Sequence, residues 1–371
     1  MLPRSDPGYD RGYKIRPVFE HLNSSFQLAR EPSKQQAIDE HMVKFKGRNS
    51  MKQYMKSKPI KWGFKIWCRC DSATGYLYQF DLYTGKKVYP EIGLGEGVVL
   101  MLSEPLKGLQ CEVHIDNFFN SPVLQERLAT LDILSCGTVR SNRKYMPKAF
   151  TSDKKMKRGD IENYSADKVS CVKWMDNRAV MLLSNFISPK EHIMVKRRKA
   201  GTADRIEVKC PEMVARYNKY MGGVDLMDQL KTSYQCDRKL TKKFYLRLFF
   251  DVMDIAMNNA CIVYNDLMKA ENSESKPFTT LEFREDVETK LIGKYSSRQR
   301  DIPMTSKKTK ISSILPASQP RHSLRKGIQR RRCVVCSENG VERRTNNYCD
   351  VCEVYLCFTN QQDCFAAHHN R

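Results

Sequence analysis

Residues 35–45 read QQAIDEHMVKF. The run is apolar enough to form a strand, yet it carries Asp39, and an unpaired charge in such a place is expensive unless a cation compensates it. CEVHIDNFF (111–119) repeats the arrangement, a buried strand ending in Asp116. A further acidic pair, Asp225 and Asp228, lies in YMGGVDLMDQL (220–230), three residues apart and so on one face of a helix. Oxygen-only carboxylate sets are what Mg²⁺ (or Mn²⁺) accepts while it also holds phosphate. Two such ions stabilise the attacking and leaving oxygens of an in-line displacement. A single aspartate more often caps a helix or faces water, so the combination carries the reading. Glu40 is read as a supporting or surface group.

Working outward, KWGFKIWCRCD (61–71) and GYLYQFDLYTG (75–85) read as a hairpin rich in aromatic residues. LGEGVVLMLSEPL (94–106) suggests a helix stopped by Pro105. SPVLQERLATL (121–131) suggests another, with Ser121 as cap and Pro122 in its first turn, and ILSCGTVRS (133–141) a further strand. Three strands followed by helix, strand, helix, strand is the ribonuclease-H-like order, an α/β fold whose first and fourth strands lie side by side at the sheet centre. Asp39 and Asp116 are then neighbours, and the helical pattern of 211–230, broken at Gly222 and Gly223, brings Asp225 and Asp228 over that sheet end. Residues 151–210 are polar and uneven around two strand-like runs and read as an insertion. Residues 241–268 read as an amphipathic helix pair, and 296–332 as a flexible basic linker.

The 64 Lys and Arg exceed the 42 Asp and Glu by 22, a field that attracts polyanions, so nucleic acid is the expected partner. The positive charge is concentrated in VKRRK (195–199), RKLTKK (238–243) and RHSLRKGIQRRR (321–332). Arg238, Lys239, Lys242 and Lys243, beside the aromatic Phe244 and Tyr245, are candidate DNA contacts, as are Arg140 and Arg143 after the last core strand. No stretch has the form of a signal peptide, and none approaches the about 18 apolar residues of a membrane helix. An intracellular protein with neither a membrane nor a small-molecule substrate is expected. Of fourteen cysteines, eight are scattered through apparent core elements and read as buried free thiols.

The other six cluster as Cys333-x2-Cys336, Cys349-x2-Cys352, Cys357 and Cys364, followed by His368 and His369. Paired ligands two residues apart fit tetrahedral Zn²⁺, and a segment this short needs a staple. At least one zinc ion is expected, with the grouping of ligands left open. Such a module alone is equally compatible with ubiquitin-ligase or histone-reader roles.

AIDEHMVKFKGR with KSKPIKWGFKIW, then HIDNFFNSPVL with GTVRSNR, then YNKYMGGVDLMDQL with DRK, come in an order and spacing that resembles the piggyBac-type DNA transposases. The resemblance runs from about Arg16 to the C-terminus. It implies catalytic roles for Asp39, Asp116 and Asp225, with Asp228 as an additional acidic residue. It also implies metal-dependent nicking at a transposon end, hairpin formation and opening, and strand transfer into TTAA targets. Double-stranded DNA of transposon ends and target, a homodimer that pairs two ends, and a nuclear location follow from the same likeness. So do His369 rather than His368 as the late zinc ligand and a DNA-recognising role for the C-terminal module. The match begins inside a full-length transposase, so this chain is expected to lack an N-terminal acidic segment and part of the helical domain, and to be less stable or active. The resulting division is a helical dimerisation and DNA-binding part (1–36 and 232–295), a ribonuclease-H-like catalytic core (37–150 and 211–231), an insertion domain (151–210), a basic linker (296–332) and a zinc module (333–371). Two rivals are a domesticated DNA-binding or chromatin protein that no longer transposes, and a protein-interaction scaffold built on the zinc module.

Overall fold

The computed structural model describes residues 6, 9–56, 58–85, 92–199, 201–236, 243–293, 322–359 and 362–369, and divides the chain into two units, 1–295 and 296–371. In the first, helix α1 (Arg16–Ala29) precedes strands β1 (Gln35–Lys44), β2 (Gln53–Tyr54), β3 (Trp62–Asp71) and β4 (Leu77–Leu82). Helix α2 (Leu94–Ser103), β5 (Glu112–Ile115), α3 (Pro122–Thr130) and β6 (Leu134–Thr138) follow. The sheet order is β2-β3-β1-β5-β6, with β4 also on β3. The β1/β3 and β3/β4 pairs are antiparallel, and β1/β5 and β5/β6 parallel. The caps act as their residue types require: Ser121 Oγ accepts from Leu124 N at 3.1 Å, and α2 gives way to a short 3₁₀ turn, Glu104–Leu106, that contains Pro105.

Residues expected to form an insertion continue the same sheet. Strands β7 (Ile161–Ala166), β8 (Val169–Met175) and β9 (Ala179–Ser184) add to it antiparallel in the order β6-β9-β8-β7. Only β10 (His192–Arg198) and β11 (Arg205–Pro211) form a separate ribbon. Strand β8 is buried on both faces: Val172 and Trp174 pack with Cys136, Leu182 and, from helix α4 (Glu212–Tyr220), Met213 and Val214, while Val169 and Cys171 pack with Val139, Met146 and Leu183. The expected helix pair at 241–268 is one helix, α6 (Phe244–Glu271), because no glycine or proline interrupts that run. Between α4 and α6 comes α5 (Gly223–Ser233), and α7 (Thr280–Ile292) follows α6, opened by a Thr279/Glu282 capping box.

Two apolar layers sandwich the central strands. Ile38, Trp67, Val113 and Ile115 pack with Val98 and Leu102 of α2 and Leu124 and Leu128 of α3. On the opposite face, Val43, Phe64, Ile66 and Phe80 pack with Phe19 and Phe26 of α1 and Leu248, Val252 and Ile255 of α6. Strand β4 would leave backbone groups unpaired beside these helices. Asn23 of α1 closes Phe80 at 2.8 and 2.9 Å, and Asn259 of α6 closes Leu77 at 2.8 and 3.0 Å.

In the second unit, β12 (Leu324–Arg332) pairs antiparallel with β13 (Arg344–Cys349), and α8 (Val334–Glu338), β14 (Phe358–Thr359), β15 (Gln362–Asp363) and α9 (Cys364–His369) complete it. This corrects the expectation of a linker running to residue 332. The Lys- and Arg-rich stretch is a strand because β13 supplies its pairing partner and its charged side chains remain exposed.

Candidate active site and candidate metal centres

The parallel register sets Ile38 opposite Ile115, so Asp39 and Asp116 each follow a matched residue at the same sheet end. The Asp39 carboxylate accepts from Glu40 N at 2.7 Å, and Asp116 Oδ1 accepts from Phe118 N at 2.8 Å, closing the turn after β5. Burial, then the neighbouring charges of Glu40 and Asp116, push Asp39 up to about 7 against the pull of Lys58. Asp116 is raised as well, first by burial and also by Glu40. Lys58 Nζ lies 3.5 Å from Asp39 and 3.6 Å from Glu40. Burial lowers its pKa, but Asp39, Glu40 and Asp225 outweigh that and leave it raised. Glu40 is therefore no surface group: it is buried, and Lys65 approaches it at 4.0 Å from the other side.

Asp225 stands exposed in the first turn of α5 and lines, with Glu40, Lys58 and Asp228, an open groove of about 650 Å³. Two glycines let the start of α5 approach the β3–β4 turn. A Cβ on Gly223 would meet Asp71 O at 2.8 Å, and one on Gly75, whose φ is +72°, would meet Met227 N at 2.9 Å.

Asp228 has a protein partner that the sequence reading missed. His41 Nδ1 lies 2.6 Å from Asp228 Oδ1, and His41 Nε2 lies 2.8 Å from Asp251 Oδ2 of α6. Lys231 Nζ contacts the other Asp251 oxygen at 2.7 Å. Burial and Lys231 lower the His41 pKa, yet Asp251 and Asp228 leave it raised. His41 sits two residues after Asp39, hence on the same strand face, and Lys231 is three residues beyond Asp228 on α5. Period-two and period-three spacing was the available signal, although nothing in the sequence pointed to Asp251. The cluster ties the helix bearing Asp225 to the strand bearing Asp39. Lys231→Met is expected to cost about 3–5 kcal/mol, because it leaves Asp251 buried without its main counter-charge. A denaturant titration shifted by less than about 1 kcal/mol would show that the cluster does not hold the helix.

Arg140, exposed, and Arg143, half-buried, both bond to the loop after Asp116. Arg140 Nε donates to Asn117 Oδ1 at 3.1 Å, and Arg143 donates to the carbonyls of Asn117 and Phe118 at 3.0 and 2.6 Å, bracing the loop after Asp116. Lys243 is the exposed residue preceding α6, while Arg238, Lys239 and Lys242 lie outside the described residues.

The cysteines of the second unit fall into two sets. Cys333, Cys336, Cys357 and Cys364 converge with all four sulfurs within 4.8 Å of one another, all buried. Cys349, Cys352, His322 and His369 form the second set within the same limit. His322 Nδ1 lies 3.1 Å from Cys352 Sγ and 3.4 Å from Cys349 Sγ, and His369 Nε2 lies 3.5 Å from Cys352 Sγ. No sulfur is in a disulfide. Although burial raises it, Cys349 is pulled down to about 6 by the N–H groups of Cys352 and Val351 and by the two imidazoles. His368 belongs to neither set. His322 was missed because it lies in a basic run before the first cysteine. The pairing of Leu324 with Cys349, and the hydrogen bonds between Ser323 and Asp350, carry it to the Cys349–Cys352 turn.

Comparison with known proteins agrees with this architecture. Residues 2–261 match a sequence model of the family described as Transposase IS4. PiggyBac transposable element-derived protein 3 of Homo sapiens is 28% identical over 359 residues, covering 94% of this chain and 58% of that protein. PiggyBac transposable element-derived protein 2 of Homo sapiens is 29% identical over 264 residues, 68% of this chain and 44% of that one. The chain thus spans about half the length of these relatives. A cryo-EM structure of a piggyBac transposase synaptic complex with hairpin DNA shares the mixed α/β fold, with a TM-score of 0.65 and 24% identity over 96% of this chain and 75% of that one. No described helix is long and apolar enough to cross a membrane. With a family match over most of its length, the chain belongs to the Transposase IS4 family as a piggyBac-type member.

Proposed function

We propose that this chain cuts and joins DNA as a transposase, through a ribonuclease-H-like core whose Asp39, Asp116 and Asp225 hold Mg²⁺ or Mn²⁺. The observation that carries the reading is the pairing of Asp39 and Asp116 at one sheet end. Both are half-buried and raised in pKa by that burial and by neighbouring negative charge, with Lys58 as the close cation. Carboxylates held together at such cost fit a divalent cation. When bound, the metal lowers the pKa of an attacking oxygen and neutralises the leaving one. Asp39 is fixed within β1 and Asp116 in the hydrogen-bonded turn after β5, Asp225 completes the set from α5, and Lys58 neutralises part of their charge until DNA and metal arrive. Asp228, paired with His41, holds α5 in place. Arg140 and Arg143 steady the Asp116 loop, and the basic residues 238–243 meet DNA phosphates. The two Cys/His sets hold two zinc ions in a C-terminal module that reads DNA near the transposon end. Action in the nucleus, TTAA-type targets and a homodimer pairing two ends belong to the same proposal.

The test is cleavage of labelled terminal-repeat DNA by the intact chain with Mg²⁺ or Mn²⁺. Metal-dependent nicks and hairpins are expected. The names of the human relatives, transposable element-derived proteins, favour a second reading in which the fold binds DNA without transposing. Salt-sensitive binding with no cleavage would select it.

Asp39 adds a pH dependence. Its pKa rises on folding from 3.8 to about 7, so without metal its contribution to stability is full below about pH 4 and lost as pH climbs through about 7. Metal binds the ionised form. The rise in Tm on adding Mg²⁺ is expected to be larger at about pH 8 than at about pH 6. Equal shifts, or none, in thermal melts would remove Asp39 from the metal site.

A further inference from the structure

Tyr54 and Trp62 are directly paired across β2 and β3, with ring centroids 4.7 Å apart. Cross-strand aromatic pairs commonly stabilise a hairpin, but this one is half open: Tyr54 is 52% and Trp62 53% exposed. Lys52 Nζ sits 5.1 Å from the Trp62 ring centre, anchored by donating to Gly47 O at 3.0 Å. Lys44, Lys46, Lys52 and Lys61 line an open groove of about 430 Å³ with Trp62, and none of its lining residues is acidic. Pro59 and Ile60 line this groove and also the one that contains Asp225 and Asp228. The adjacent Lys58 reaches Asp39 at 3.5 Å. One short segment therefore forms a wall of both grooves.

We propose that the Tyr54–Trp62 pair is a stacking platform for unpaired bases of single-stranded DNA, with the surrounding lysines neutralising its phosphates. The proposal deepens the transposase reading and rests on it for the choice of DNA. Exposed aromatic faces beside cations are the recurring means of holding a single strand, since every base offers a π-face, whereas a duplex keeps its bases stacked on each other. The shared wall gives a strand separated at the carboxylates a continuous path onto the rings.

The chain's own tryptophans supply the test. Trp67 and Trp174 are 1% and 2% exposed, so quenching of the solvent-exposed emission reports on Trp62. The intact chain in EDTA, where no cleavage runs, is titrated with oligothymidylate and with a duplex of equal length, following tryptophan emission and the anisotropy of labelled DNA. Saturable quenching that tracks single-strand binding is expected. Trp62→Ala is expected to weaken single-strand binding about tenfold and duplex binding less than about twofold. Single-strand binding without quenching, equal losses on both DNAs, or no single-strand binding would each overturn the proposal. The wild-type quenching result stands even if the variant folds poorly. Cleavage without quenching would leave the transposase reading intact and remove the platform, and quenching without cleavage would do the reverse.

Discussion

Replacing Asp116 by Asn is expected to lower metal-dependent cleavage by on the order of 10³-fold or more, the rate equivalent of the several kcal/mol that a correctly held metal contributes. The substitution is nearly isosteric, and an Asn side-chain oxygen still accepts from Phe118 N, so the turn after β5 survives. What disappears is a charge that burial already penalises and that raises Asp39. The variant should therefore melt no lower than the parent without metal, Asp39 should titrate at lower pH, and Mg²⁺ should stabilise it less. Loss of cleavage with unchanged folding separates a catalytic role from a structural one. Nicking at the parental rate by Asp116→Asn would rule out the proposed site.

Stripping zinc is expected to have the largest effect on stability, and only in the second unit. Apparent binding free energies of structural zinc run at about 10–16 kcal/mol per ion, more than so small a module gains from its own core. Trp62, Trp67 and Trp174 all belong to the first unit, so tryptophan emission should hardly change on chelation while amide exchange of residues 322–369 rises sharply. Elemental analysis should find two zinc ions per chain. His322→Ala should release one of them, and His368→Ala neither, because His322 lies against Cys349 and Cys352 whereas His368 belongs to neither set. A chelated module that keeps its amide protection would overturn the assignment.

Much of the first unit was legible because local signals and the hydrophobic pattern agree there. Ser121 caps, Pro105 stops, and the apolar runs in QQAIDEHMVKF and CEVHIDNFF all point to the elements that form. The placement of Asp39 beside Asp116 followed from strand order alone. What stayed hidden depends on partners distant in sequence. Asp251 reaches His41 only through the packing of α6, and Lys58 gives no sign in KSKPIKW that it faces three acids. Basic composition argued for a linker at 324–332, and β13 overrode it with a pairing that no local propensity announces. Two of the three strands at 161–184 were visible one by one, but the strand at 161–166 and their shared continuation of the central sheet were not, because edge pairing leaves no mark on the strand that accepts it.

The parallel alignment of β1 with β5 also bears on when the molecule becomes dangerous. Its three aspartates come from segments far apart along the chain, joined by a long-range parallel pairing and a helix that arrives much later. Such contacts have high loop-closure cost and form late in folding. On the transposase reading proposed above, a partly folded chain would carry the acids without the assembled site, so a cell's quality control would have time to discard a failed copy before it could nick a chromosome.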